Sequence, residues 1–164
     1  MPEAREIVIN TGPLIALVAA LGDLRVLRLY ERAWVPYEVG QEIARGGANQ
    51  FAQVEFEAAN WLEKPTQPLS IAAALTNTLD RGEAAVIQLA LDRGIQTVVI
   101  DEAAGRRIAR LNSLLVTGSI GILLRAKREG YPLSLRAAIE RMRAHGIWLS
   151  DRVIAFALAQ AGEA

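Results

Sequence analysis

The chain has 164 residues, enough for one ordinary domain and too few for two well-developed ones. Apolar residues make up 52% of it and charged residues 22%, which provides for a sizeable core and excludes wholesale disorder. Eighteen Lys and Arg balance eighteen Asp and Glu, and with no Cys and a single His the chain has no disulfide scaffold, thiol nucleophile, zinc-thiolate centre or His-rich metal site.

The chain opens with Glu6-Ile-Val-Ile-Asn10, a short β-branched run, followed by Thr11-Gly-Pro13, where the proline ring suits the first turn of a helix. Leu14, Ile15, Leu17, Val18 and Leu21 then recur at helical spacing, and a second helical stretch is expected over Asp23 to Tyr30. Ala33 to Pro36 reads as a second strand. Tyr37 to Arg45 reads as a helix with Val39 and Ile43 inward, stopped by Gly46-Gly47. Residues 51–63 are expected to be helical, and Lys64 to Pro68 a loop. Leu79-Asp-Arg-Gly82 is a turn opening an apolar helix over Glu83 to Arg93, ended by Gly94. Thr97 to Ile100 is a buried strand that runs into Asp101. A helix over Ala103 to Leu111, a strand at Leu114 to Val116 and helices at 119–128, 134–145 and 151–161 complete the chain. Strands alternating with helices imply a parallel sheet covered on both faces, an α/β fold within one domain over 1–164. No apolar run reaches the roughly 18 residues of a membrane span, and the opening segment lacks the core of a secretory signal, so a cytoplasmic protein is expected.

The charge balance hides an asymmetry. Residues 1–102 carry 8 basic and 14 acidic side chains, whereas residues 103–152 carry 10 basic and 3 acidic ones. All but Lys64 and Lys127 of the basic residues are Arg, whose planar fork matches two phosphate oxygens. Solvated helix faces would use the same residues.

In open α/β sheets ligands bind at the carboxyl ends of the strands. Asn10 and Asp101 each leave an apolar strand at that end, although both residue types also favour helix N-caps. Glu42 stands one residue before an inward-facing Ile, and Glu83 in the first turn of an apolar helix, where a carboxylate also complements the helix dipole. All four border elements that would start at the same sheet edge. Such a set of oxygens suits Mg²⁺ or Mn²⁺, and a carboxylate-bound metal with open water positions suits phosphodiester hydrolysis. No Walker-type phosphate loop exists; Gly118-Ser-Ile-Gly121 is too short and lacks the Lys.

Val8-Ile-Asn10-Thr-Gly-Pro-Leu-Ile15, Val35-Pro-Tyr-Glu-Val-Gly-Gln-Glu42, Asp80-Arg-Gly-Glu-Ala-Ala-Val-Ile-Gln-Leu-Ala90 and Val99-Ile-Asp-Glu102 occur in that order. Arg106-Arg107, Val116 to Leu124 and Arg125 to Arg128 follow. Together they resemble the PIN-domain family, and within it a small branch whose opening motif reads Asn-Thr-Ser-Pro-Leu-Ile. The resemblance runs from about residue 6 to 163. It implies a three-layer α/β/α fold around a central, mostly parallel sheet, and a Mg²⁺- or Mn²⁺-dependent nuclease pocket acting mostly on RNA. Carried over by position, the four family acids fall on Asn10, Glu42, Glu83 and Asp101, as metal ligands and catalytic residues. Thr11 supplies the neighbouring hydroxyl, and Glu102, Ser119 and Thr117 are auxiliary candidates. Arg106, Arg107, Arg110, Arg125, Lys127 and Arg128 are the expected nucleic-acid rim.

Asn10 departs from the usual Asp: an amide oxygen ligates a cation but brings no charge. The leading reading is therefore a PIN-type ribonuclease, a candidate toxin of a toxin–antitoxin pair with an antitoxin protein as partner and a homodimer as its assembly. The alternative is a catalytically weak or inactive PIN-like domain that binds nucleic acid or protein. A receiver-like signalling domain is disfavoured, since it would need an acidic pair near the first strand and a Lys near the last. Trp34 and Trp61 are expected in the core, and Trp148 at a packing or dimer contact. The face Val153, Ile154, Ala157, Leu158 and Ala161 of the last helix, capped by Ser150, either covers the sheet or pairs with another copy.

Overall fold

The computed structural model describes residues 3–46 and 51–164. Its centre is β1 (Glu6–Ile9), in which Ile7, Val8 and Ile9 are all fully buried. Strands β2 (Arg32–Trp34) and β3 (Thr97–Val99) flank β1, and β4 (Leu115–Thr117) lies outside β3, in the order β2-β1-β3-β4. Every pairing is parallel, with Val8 opposite Trp34 on one side and Val98 on the other, and Val98 opposite Val116. A sheet buried on both faces needs continuous apolar strands rather than alternating ones, which is why Ile7 to Ile9 and Val98 to Ile100 read as unbroken hydrophobic runs.

Helices cover both faces. On one side α1 (Thr11–Leu21) packs with α7 (Ser119–Arg128) and α8 (Leu135–Ala144), and α9 (Asp151–Gln160) leans on α7 and α8. On the other, α5 (Arg81–Arg93) packs on β1 and β3 and against α2 (Tyr37–Ala44) and α6 (Ala103–Leu111). The result is a three-layer α/β/α fold. The chain leaves β1 for β2 in one direction and returns past β1 to β3 in the other. The crevice between the carboxyl ends of β1 and β3 is therefore the point where strand order reverses, where open sheets of this kind bind ligands.

Local chemistry explains the boundaries. Gly22 and Gly94 take left-handed backbone at φ 86° and 68° and close α1 and α5. Asp80, Ser134 and Ser150 cap α5, α8 and α9 through their side chains. Helix α2 stops at Ala44, ahead of Gly46, while Gly47 lies outside the described residues.

Two expected elements differ, and one further element appears. The stretch after Asp23 is a 3₁₀ helix over Arg25–Leu29, entered through an Asp23 side chain that accepts the Arg25 N–H. Within 51–63 only α3 (Gln53–Ala58) is helical, because Glu63 bridges to Trp34 and exchanges backbone hydrogen bonds with Ala33 and Val35 at 2.9 Å each. A one-turn helix α4 (Ala73–Thr76) also forms ahead of the Leu79 turn.

Candidate metal centre at the carboxyl edge

Asn10 is the residue that leaves β1, and its N–H pairs with Val99 O at 3.1 Å, fixing it beside the exit of β3. It occupies the N-cap position of α1, yet its side chain makes no cap hydrogen bond. Asn10 is 7% exposed, and its Oδ1 is buried without a hydrogen-bond partner. The neighbouring Thr11 Oγ1 is buried and unpaired in the same way. Such orphan oxygens cost free energy unless a ligand satisfies them.

The surroundings of Gly82 show what faces Asn10. A methyl group placed on Gly82 would stand 2.9 Å from Glu42 Oε1, 3.2 Å from Asn10 Oδ1 and 3.6 Å from Asp80 Oδ1. Three oxygens from three elements thus surround one point, which lacks a side chain because residue 82 is glycine. Glu42 comes from the exposed side of α2, and Asp80 from the cap of α5, where its Oδ1 accepts the Glu83 N–H at 2.9 Å.

Asp80 also belongs to a second group. One carboxylate oxygen each from Asp80, Glu83 and Glu102 lie within 4.8 Å of one another. Glu83 is 4% exposed, and Gly105 admits it: a methyl there would be 2.6 Å from Glu83 Oε2. Burial, then the hydrogen bond and charge of Asp80, then Glu102, push the Glu83 carboxyl up to about 8. A dipole-complementing acid at a helix start has no need of such burial. Glu102 holds the N-cap position of α6 without using its side chain as a cap.

Asp101 has a backbone partner at one oxygen. Its Oδ1 accepts the Ser119 N–H at 2.8 Å, so it caps α7 from across the β3–β4 edge. Arg106 lies beside it, anchored by a 2.8 Å bond from Nη1 to Ile100 O. Burial and then Arg110 lower the Arg106 pKa, with Asp101 acting in the opposite sense.

The basic residues divide between two edges. Arg106, Arg107 and Arg110 sit on α6, which starts at the carboxyl edge. Arg125, Lys127 and Arg128 sit at the far end of α7, at the amino edge of the sheet, and each is engaged. Arg125 is buried, donates to Ala4 O and Glu129, and lies over the Tyr30 ring. Lys127 pairs with Glu163 and Arg128 with Glu3.

Of the residues read from sequence, Asn10 and Glu42 face Asp80 around Gly82, Glu83 lies with Asp80 and Glu102, and Asp101 gives one oxygen to the start of α7. The sequence pattern places Asp80 only in a turn. Its signal was Asp three residues before Glu at a helix start, the spacing at which an N-cap side chain meets a first-turn backbone N–H. Among the described residues, none of Glu42, Asp80, Glu83, Asp101 and Glu102 forms an ion pair. Unpaired acids converging with an orphaned amide oxygen fit a hard dication held entirely by oxygen ligands.

No helix among the described residues is long and apolar enough to cross a membrane. No curated protein matches the chain. A family model described as PIN domain matches residues 6–163, so both the order of motifs and the sheet that carries them identify the chain as a member of the PIN-domain family.

Proposed function

We propose that the protein is a metal-dependent endoribonuclease of the PIN type, with Mg²⁺ or Mn²⁺ held by Asp80, Glu83 and Glu102 and reached by Glu42 and Asn10. The observation that carries this reading is the Asn10 Oδ1, buried and without a partner while it faces Glu42 and Asp80 across Gly82. A bound dication of this kind supplies an acidified water and screens charge on a scissile phosphate. The protein's own part is positional. Asp80 is locked by the Glu83 N–H, Glu83 is confined by burial and by Gly105, and Arg106 is anchored at Ile100 O. Arg106, Arg107 and Arg110 are the phosphate contacts of this reading, and Ser119, Thr117 and Thr11 offer hydroxyls at the same edge.

The test is cleavage of mixed single-stranded RNA with and without Mn²⁺, in wild type and Glu83→Gln. Activity that needs Mn²⁺ and disappears in Glu83→Gln supports the reading; cleavage indifferent to both overturns it. Asn10 favours a second reading, a PIN fold that binds RNA or protein without cutting, because its amide gives the site one charge fewer. RNA binding with no turnover in wild type, and turnover gained in Asn10→Asp, would select it. The toxin role, antitoxin partner, homodimer and cytoplasmic location belong to this proposal through the family resemblance alone. Sedimentation of the purified protein and the identity of the adjacent gene check them.

A further inference from the structure

A second feature of the carboxyl edge lies outside the acidic cluster. A cavity of about 550 Å³ separates the start of α7 from the segment that joins α8 to α9. Its polar wall carries Asp101, Arg106 and Ser119, and its apolar wall Trp148, Val153 and Phe156. Trp148 is 83% exposed and Phe156 57% exposed. The other two indoles are treated differently. Trp34 donates to Glu6 Oε1 and lies under Arg93; Trp61 donates to Leu24 O and lies under Arg28. Among the described residues Trp148 has neither kind of partner. A second hollow, of about 420 Å³, shares Trp148 and Ser150 with the first and is lined also by Arg143 and Asp151. One exposed ring therefore borders both hollows, and each contains an arginine beside an aspartate.

We propose that Trp148, with Phe156, forms a base-stacking subsite of the nuclease site, taking the face of one unpaired nucleobase while Arg106 and Arg143 contact the phosphates on either side of it. Aromatic rings interleaved with arginines are how proteins hold single-stranded nucleic acid, because every base has a π face and every linkage a negative charge. A base inside a duplex has both faces covered by its neighbours, so this subsite selects unpaired strands. Asp101 lines the same cavity and adjoins Glu102 in the chain, so the subsite and the acidic cluster share the carboxyl edge of the sheet. A second protein copy fits less well. A stable interface buries about 800 Å² per partner around an apolar centre, whereas three side chains and an interrupting Asp–Arg wall supply only part of that area.

The inference rests on the nuclease reading, and the experiment separates the two. Anisotropy of a labelled ten-nucleotide oligouridylate, with Ca²⁺ replacing Mg²⁺, is measured for wild type, Trp148→Ala, Trp148→Phe and Phe156→Ala, alongside a duplex of equal length. Mn²⁺-dependent melting, the KM and kcat of cleavage, and sedimentation are recorded on the same proteins. Trp148→Ala is expected to weaken oligonucleotide binding by on the order of 10- to 100-fold, the scale of one lost stacking contact. It should raise KM more than it lowers kcat and leave the Mn²⁺ shift unchanged, and Trp148→Phe should retain most of the affinity. Equal affinity in wild type and Trp148→Ala overturns the subsite. So does an equal loss on duplex, or a change from dimer to monomer in Trp148→Ala, which would make this face a contact between copies. Stacking without any Mn²⁺ shift or cleavage in wild type sinks the nuclease reading and leaves the subsite standing; a wild type that binds no oligonucleotide sinks both.

Discussion

Gly82 is small for a reason that lies across the site. Ala at this position would suit the helix, where it is favoured over Gly by about 0.5–1 kcal/mol, but its methyl would displace Glu42 Oε1 and crowd Asn10 Oδ1. Gly82→Ala is therefore expected to melt no lower than wild type in the absence of metal, and to lose most of the Mn²⁺-induced rise in Tm. Glu83 gives a second expectation. Its carboxyl has an ordinary value of 4.5 and is pushed up to about 8 in the folded, metal-free protein. Between those values the folded state holds a proton that the unfolded chain releases, so metal-free stability declines as pH rises from about 4.5 to 8. A cation competes with that proton, so the Mn²⁺ shift should grow over the same range. Melting with EDTA and with Mn²⁺ at pH 5, 6.5 and 8 checks both slopes, and Glu83→Gln should flatten them. At this scale the sequence was legible where an apolar strand or helix stops at a polar residue: Asn10 and Glu83 stand out in that way. Whether Asp101 or Glu102 would face the cluster was not legible, since adjacent residues at a strand exit point in different directions and the partner of Asp101, Ser119, is 18 residues away.

The elements fix these side chains by their ends rather than their middles. Asp80 starts α5, Glu102 starts α6, and Asp101 holds the start of α7. Two of these roles are separable by mutation. Asp101→Ala removes the cap on Ser119 N and is expected to cost about 1 kcal/mol, or a few degrees of Tm. Glu102→Gln removes a member of the Asp80–Glu83–Glu102 group and is expected to leave metal-free Tm within about 1 °C while reducing the Mn²⁺ shift more than Asp101→Asn does. Melting curves with and without Mn²⁺ decide this. The helices with amphipathic spacing, α5 to α9, were readable within a residue or two. The region from Phe51 to Thr76 was not, because its conformation is set at a distance: Glu63 is drawn out of helix by pairing with β2, and the Leu69 N–H is held by the buried Glu38 carboxylate.

For the whole molecule, the sequence shows an acidic portion followed by a basic one, but the fold divides the basic residues between two ends. Arg106 and Arg107 stand in the first half of α6, toward the carboxyl edge with the acids, and Arg110 follows in its last turn; Arg125, Lys127 and Arg128 close the opposite end through ion pairs. Alternation of strands and helices revealed the layers, yet nothing in a linear charge count distinguishes the two ends of α7. Replacing Arg107 and Arg110 with Ala should weaken RNA binding and lower the salt slope by roughly one to two phosphate contacts, with Tm little changed. Replacing Arg125 with Ala should instead lower Tm and leave the salt slope alone, since it removes a buried cation with a backbone partner. Binding titrations from 50 to 200 mM KCl, set beside melting curves, test the contrast.

The last turn of α7 receives segments from both extremes of the sequence: Arg125 takes Ala4 O, Arg128 takes Glu3, and Lys127 takes Glu163, which itself accepts the Leu135 N–H at the start of α8. Residues 3 and 163 are consequently both tied to the last turn of α7, on the side of the sheet that points away from the acids. A short linker joining them, with the chain reopened between Pro65 and Pro68, should give a circular permutant that folds and keeps its Mn²⁺ response. A domain fused at either of these positions would hang behind the sheet and leave the approach to the acidic edge clear.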